Sequence, residues 1–219
     1  MELTYASLKS RHREVRENFP DSLGLRVHRS LSWLNRAEQE QDDQDARFIF
    51  LWIAFNAAYA NEINDAWSMP ERKMQSAFIS KLVNYDNEQL IYKTLWKHFP
   101  KSIRLLIDNP FVYEPFWKYQ RGSIKEDEWK YRFDKSKKEA NQALGNSDAA
   151  KVLMIVFDRL YVLRNQLIHG GATWNSSVNR DQIRDGANIM DKLVPIIIHI
   201  LLGNPDKLWG DAAYPVISH

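Results

Sequence analysis

The run Phe48-Ile49-Phe50-Leu51-Trp52-Ile53-Ala54-Phe55 constrains this chain more than any other stretch. It is apolar all round through two helical turns, and a helix without a polar face must be covered by other elements. The flanks fit a helix from about Asp45 to Asn64, with Asn56 and Asn61 as polar exceptions. Elsewhere apolar residues recur at helical rather than alternating spacing, and there are only eight glycines, so turns are few and elements long. The expectation is an all-α, up-and-down helical bundle, with one domain over residues 1–219.

A helix from about Leu23 to Gln41 precedes the apolar one, with Leu31 and Leu34 on one face and Asp42, Asp43 and Asp45 as the break. Pro70 suits the first turn of a third helix carried by Met74, Phe78, Ile79, Leu82 and Val83. A fourth is predicted from about Asn87 to Phe99. Pro100, Pro110 and Pro115 then interrupt an aromatic-rich segment, predicted as short helices and turns forming a lid or irregular insertion around residues 100–125. Glu126 to Leu144 reads as a charged edge helix with a thin stripe of Trp129 and Phe133. Gly145-Asn146-Ser147-Asp148 stops it, with Ser147 as a good N-cap for the next helix, about Asp148 to His169. Gly170-Gly171 ends that helix with a left-handed cap. The last helix, about Asn179 to Leu202, contains Pro195, which should kink or split it.

The absence of cysteine excludes disulfides, a thiolate nucleophile and a Cys-ligated zinc site. The first twenty residues are charged and lack the apolar core of a signal peptide. The apolar runs Phe48 to Ala60 and Leu193 to Leu202 are interrupted and too short to span a bilayer, so a cytoplasmic chain without membrane contact is expected. A net charge of +2 is not the global basicity of a protein that coats nucleic acid, although a local basic cleft is compatible with it. No phosphate-binding loop, dinucleotide fingerprint, H-E-x-x-H or G-x-S-x-G is present. Nucleotide-driven motors, dinucleotide oxidoreductases, zincins and common serine hydrolases therefore recede.

The candidate site is Arg164-Asn165-Gln166-Leu167-Ile168-His169, the one Arg-x4-His in the chain, at the last turn of a strongly apolar helix. Residues four apart share a helix face, which stacks Asn165 and His169. Arg164 lies about 140° round the axis, within partial reach of a long side chain. The negative end of a helix dipole favours a protonated imidazole, and histidine suits proton transfer near neutral pH. Arginine offers a fork of donors matched to phosphate oxygens, and asparagine can orient an attacking hydroxyl or the imidazole. An arginine and a histidine suffice for RNA cleavage without a metal or cofactor, because the ribose 2′-OH is the nucleophile.

Arg164-Asn165-Gln166-Leu167-Ile168-His169 resembles the R-N-x3-H signature of the HEPN superfamily. The stretch Phe50 to Tyr59 is similar to the early core helix of the Apea-like and related HEPN groups. The resemblance covers these two helices well and the rest only by overall helical order. It implies a HEPN-type bundle and a metal-independent endoribonuclease of toxin–antitoxin, phage-defence or RNA-processing type. It also implies a homodimer with its cleft where two protomers face each other, and a regulatory or antitoxin partner is compatible with it. For Arg164 and His169 it implies the chemistry, and for Asn165 an orienting role. The segment Pro100 to Gly122 has no counterpart in the family pattern.

Each residue also has a plainer role. His169 could cap the last carbonyls of its helix, Arg164 could pair with Asp158, and Asn165 could be a polar boundary residue. Asn56 either hydrogen-bonds within the core or supports the histidine from behind. Phe111, Tyr113, Phe116, Trp117 and Tyr119, followed by Arg121, either stack bases beside a cation or form a core under an irregular loop. The basic run Lys130 to Lys138 is either a solvated helix face or a steering surface for RNA. His199, within an apolar helix, reads as a satisfied core or interface histidine. The alternative to a nuclease is therefore a non-catalytic helical module that binds RNA or protein.

Overall fold

Helical periodicity is realised along nearly the whole chain. The computed structural model describes residues 2–59, 71–177, 179–207, 209, 210, 212 and 214, and it is all-α. Its α-helices are α1 (Tyr5–Val15), α2 (Asp21–Glu38), α3 (Gln44–Tyr59), α4 (Glu71–Tyr85), α5 (Leu90–Lys93), α6 (Pro100–Asp108), α7 (Glu114–Gln120), α8 (Glu126–Gly145), α9 (Ala149–Ile168) and α10 (Arg180–Gly203). Asn61, Asn64 and Pro70 lie outside the described residues. The residues fall into two compact units, Met1–Glu88 with Ala187–His219, and Gln89–Gly186.

In the first unit Leu23, Val27, Leu31 and Leu34 recur every three to four residues and are all buried, so α2 turns one stripe inward. Alanine and serine let α3 approach closely: the Ser30 hydroxyl donates to the Ala54 carbonyl, and Ala37 and Ala58 are buried beside their larger neighbours. The buried Arg26 donates from Nη1 to the Ala58 carbonyl at 3.0 Å, which ties α2 to α3. Phe48, Leu51, Trp52, Phe55 and Tyr59 fill the centre. Ile49, Phe50 and Ile53 are only half-buried, so α3 is covered on one broad face rather than all round.

Two elements of this unit depart from the sequence expectation. Helix α1 was hidden by its thin stripe, in which Leu8 and His12 are the buried residues. It is secured locally by a capping box, in which Ser7 N–H donates to Thr4 Oγ1 and Thr4 N–H to Ser7 Oγ, and by Glu38, which accepts from Tyr5 N–H at 2.7 Å. Helix α10 is not split at the buried Pro195 but runs through it as one helix, with Val194, Ile196, Ile197 and Ile198 holding that stretch in the core. By length and composition α10 is also apolar enough to cross a membrane, although 72% of the relevant window is buried inside the protein. On the same helix, His199 Nδ1 accepts from Arg11 Nη1 at 2.8 Å, which leaves Nε2 to donate to Glu88 Oε1 at 3.0 Å.

His12 is 4% exposed, and neither ring nitrogen has a hydrogen-bond partner among the described residues. Burial lowers its pKa from 6.5, and Lys9, His28 and Arg16 push in the same direction. The unfolded chain therefore takes up this proton first. The neutral ring's contribution is intact above pH 6.5 and is lost as pH falls below it. We expect the thermal midpoint to drop on acidification from pH 6.5 and His12→Leu to flatten that slope. An unchanged slope in the variant would show that His12 does not titrate with folding.

In the second unit the predicted fourth helix is realised as α5, entered through Gln89 in the left-handed region (φ 54°), and continues as a π-helical turn, Thr94–His98. Thr94 Oγ1 donates back to the Leu90 carbonyl at 2.8 Å. The segment read as a lid or insertion forms short helices and turns as expected; its Ile103, Leu106, Ile107 and Val112 are buried in this unit, whereas α7 has no buried residue. Tyr113, Phe116, Tyr119, Trp129 and Phe133 form a connected ring cluster between the segment and α8. Arg159 of α9 is buried against it, its guanidinium carbon 4.2 Å from the Tyr113 ring and one nitrogen donating to Ser136 Oγ at 3.1 Å. Burial lowers its pKa to about 10, so it remains charged at neutral pH. Along α8, Lys130 pairs with Glu126, Arg132 with Glu128, and Lys137 with Asp108, so these cations have carboxylate partners within the chain.

Candidate functional site at the end of helix α9

The apolar residues Val152, Leu153, Val156, Phe157, Leu160 and Leu163 anchor α9, which fixes where its last turn stands. The helix starts one residue later than the sequence suggested. Asp148 is the N-cap, accepting from Lys151 N–H at 2.9 Å, while Ser147 takes the left-handed conformation (φ 57°) that closes the preceding turn. At the other end His169 is the C-cap, its N–H donating to the Asn165 carbonyl at 3.0 Å, and Gly170 follows at φ 69°.

Arg164, Asn165 and His169 therefore stand together on one helix end. Arg164 Nη1 donates to Asn165 Oδ1 at 2.8 Å, which draws the guanidinium round the axis towards the Asn165 face. Arg164 is half-buried, lies 6.0 Å over the Tyr161 ring, and pairs with no carboxylate among the described residues, Asp158 included. The His169 side chain is exposed and makes no hydrogen bond among the described residues, so it does not cap the helix carbonyls. From Arg159 to Arg180 the sequence holds three arginines and His169 but no carboxylate. The combination is a guanidinium held by an amide and an accessible imidazole on one helix end. It can bind a phosphate oxygen and exchange a proton with a nearby hydroxyl.

Asn56 and Arg121 are the two further candidates. Asn56 belongs to the first unit, where its Oδ1 is buried without a hydrogen-bond partner among the described residues. Arg121 follows α7 and is exposed, and no hydrogen bond or ion pair joins it to Arg164, Asn165 or His169.

The residue that sequence reasoning passed over is Gln166, a variable position of the motif. Its Nε2 donates to the Phe111 carbonyl at 2.6 Å, and its Oε1 accepts from Asn179 Nδ2 at 3.0 Å. A Cβ on Gly171 would sit 3.2 Å from the Gln166 carbonyl oxygen, so the chain leaving the helix runs back against the same residue. Gln166 thus gathers the turn at Phe111 and both ends of the loop after α9. In the sequence it was one more polar residue beside Arg164 and Asn165, with nothing local to single it out.

Among the described residues no group of three or more histidines, aspartates or glutamates is disposed to hold a metal ion. Comparison of the chain with protein-family models, with curated proteins and with solved structures returns no match.

Proposed function

We propose that the chain is a metal-independent endoribonuclease of HEPN type. The observation that carries this reading is Arg164, bound by Asn165, in the last turn of α9, the helix that ends on the exposed His169. In the reaction His169 takes the proton of a ribose 2′-OH, and the 2′ oxygen attacks the adjacent phosphorus. The bond to the 5′ oxygen breaks, and that oxygen takes up a proton from the imidazolium or water. Arg164 stabilises the charge that builds on the phosphoryl oxygens, where donors aimed at the transition state act most strongly. The products are a 2′,3′-cyclic phosphate and a 5′-hydroxyl. A homodimer that brings two such helix ends together, and a regulatory or antitoxin partner that restrains them, belong to the same proposal.

The test is incubation of the purified protein in EDTA with tRNA, mRNA and short oligonucleotides, followed by analysis of the new ends. Cleavage with cyclic-phosphate termini is expected. No cleavage of any of these RNAs would sink the reading and leave a non-catalytic RNA- or protein-binding module. The exposure of Leu105, Phe111, Ile168 and Trp174 favours that second reading, since such surface offers contact area without requiring proton transfer.

A further inference from the structure

Trp174 is the most exposed large apolar side chain among the described residues of the second unit, at 74%, and it stands in the loop that leaves the candidate site. Single exposed apolar residues are ordinary on protein surfaces. Here the surroundings are not ordinary. Ser176 N–H donates to the Thr173 carbonyl at 3.2 Å, which places Trp174 and Asn175 at the corner of a tight turn, with Asn175 in the left-handed region at φ 53°. Arg180 Nε donates to the Ser176 carbonyl at 3.1 Å and braces the far side of that turn. Gly171 and Asn179 are both held against Gln166, so the loop is fixed at each end to the motif itself.

These anchors limit how far Trp174 can stand from the site. Three extended residues span about 10 Å, so the Trp174 backbone lies within about that distance of Gly171. Two other exposed apolar side chains belong to segments gathered at Gln166: Phe111, 48% exposed, whose carbonyl Gln166 holds, and Ile168, 46% exposed, next to His169. The helix end and loop that present Ile168 and Trp174 carry Arg164, His169 and Arg180, with no carboxylate between Asp158 and Asp181. An aromatic face beside an anion-attracting backbone is complementary to an unpaired nucleotide, whose base stacks while its phosphate meets the cations. A base held in a duplex presents no free face for such stacking.

We propose that Trp174 stacks an unpaired base next to the cleaved phosphate, so that the site takes single-stranded RNA. This rests on the ribonuclease reading and adds the substrate class to it. The test is fluorescence anisotropy with a labelled 2′-O-methyl oligonucleotide, whose blocked 2′ oxygen cannot attack, offered single-stranded and annealed to its complement. Wild type is expected to favour the single strand. Trp174→Ala is expected to weaken single-strand binding about tenfold, to leave duplex binding unchanged, and to melt like wild type, while Trp174→Phe keeps most of the affinity. Unchanged single-strand binding by Trp174→Ala, from a protein that does cleave RNA, overturns the stacking role and leaves the nuclease standing. Absence of both binding and cleavage in wild type overturns the two together. Loss of self-association in Trp174→Ala without any oligonucleotide binding would assign the surface to a protein contact instead, which also overturns it.

Discussion

We expect His169→Ala to lower RNA cleavage by about 100- to 10,000-fold, the range in which a positioned proton-transfer group contributes. The thermal midpoint should not move, because the ring is exposed and makes no hydrogen bond among the described residues. Arg164→Ala is expected to lose a comparable factor, about 100- to 1,000-fold, as removal of a donor aimed at transition-state charge does. Arg164→Lys should recover little. Lysine keeps the charge but lacks the planar fork and cannot reproduce both the bond to Asn165 and a bidentate grip on phosphate. Asn165→Ala releases the guanidinium without removing it, so a smaller loss is expected. The measurement is single-turnover cleavage of one RNA in EDTA, read beside melting curves. Wild-type rates in His169→Ala would show that the imidazole carries no chemistry.

The second large effect lies in the first unit. Phe55 is fully buried, and its ring centroid lies 5.7 Å from that of Trp52, 4.8 Å from Tyr59 and 6.4 Å from Phe78. Phe55→Ala removes the ring common to those contacts and leaves a cavity that the helix backbones cannot collapse to fill. The expected cost is about 3–5 kcal/mol, the sum of lost transfer energy and the cavity. Tyr131→Ala on α8, at a position 70% exposed, is expected to stay within about 0.5 kcal/mol and serves as the contrast. Denaturant midpoints of the two variants decide the matter. A cost below about 1 kcal/mol for Phe55→Ala would mean that α3 is not packed as the structure has it.

What is local in this protein was legible in its sequence. Helical class, the buried face of α2, the extent of α9 and its termination at Gly170 all follow from apolar spacing and cap chemistry, which act within a turn or two of the chain. The position of Arg164, Asn165 and His169 at a helix end follows from the same rules. Tertiary structure decided what depends on residues far apart in sequence. Helix α1 carries too thin a stripe to announce itself, and the bond from Tyr5 N–H to Glu38 reaches across thirty-three positions. Pro195 costs a hydrogen bond that local reasoning counts against a continuous helix, yet burial of its neighbours keeps α10 whole. The role of Gln166 rests on Phe111, fifty-five residues before it, and on Asn179, thirteen after it. The division into two units and the exposure of Trp174 are of the same kind. Periodicity says which face of a helix is apolar, but only the packed chain determines what that face and its polar neighbours meet.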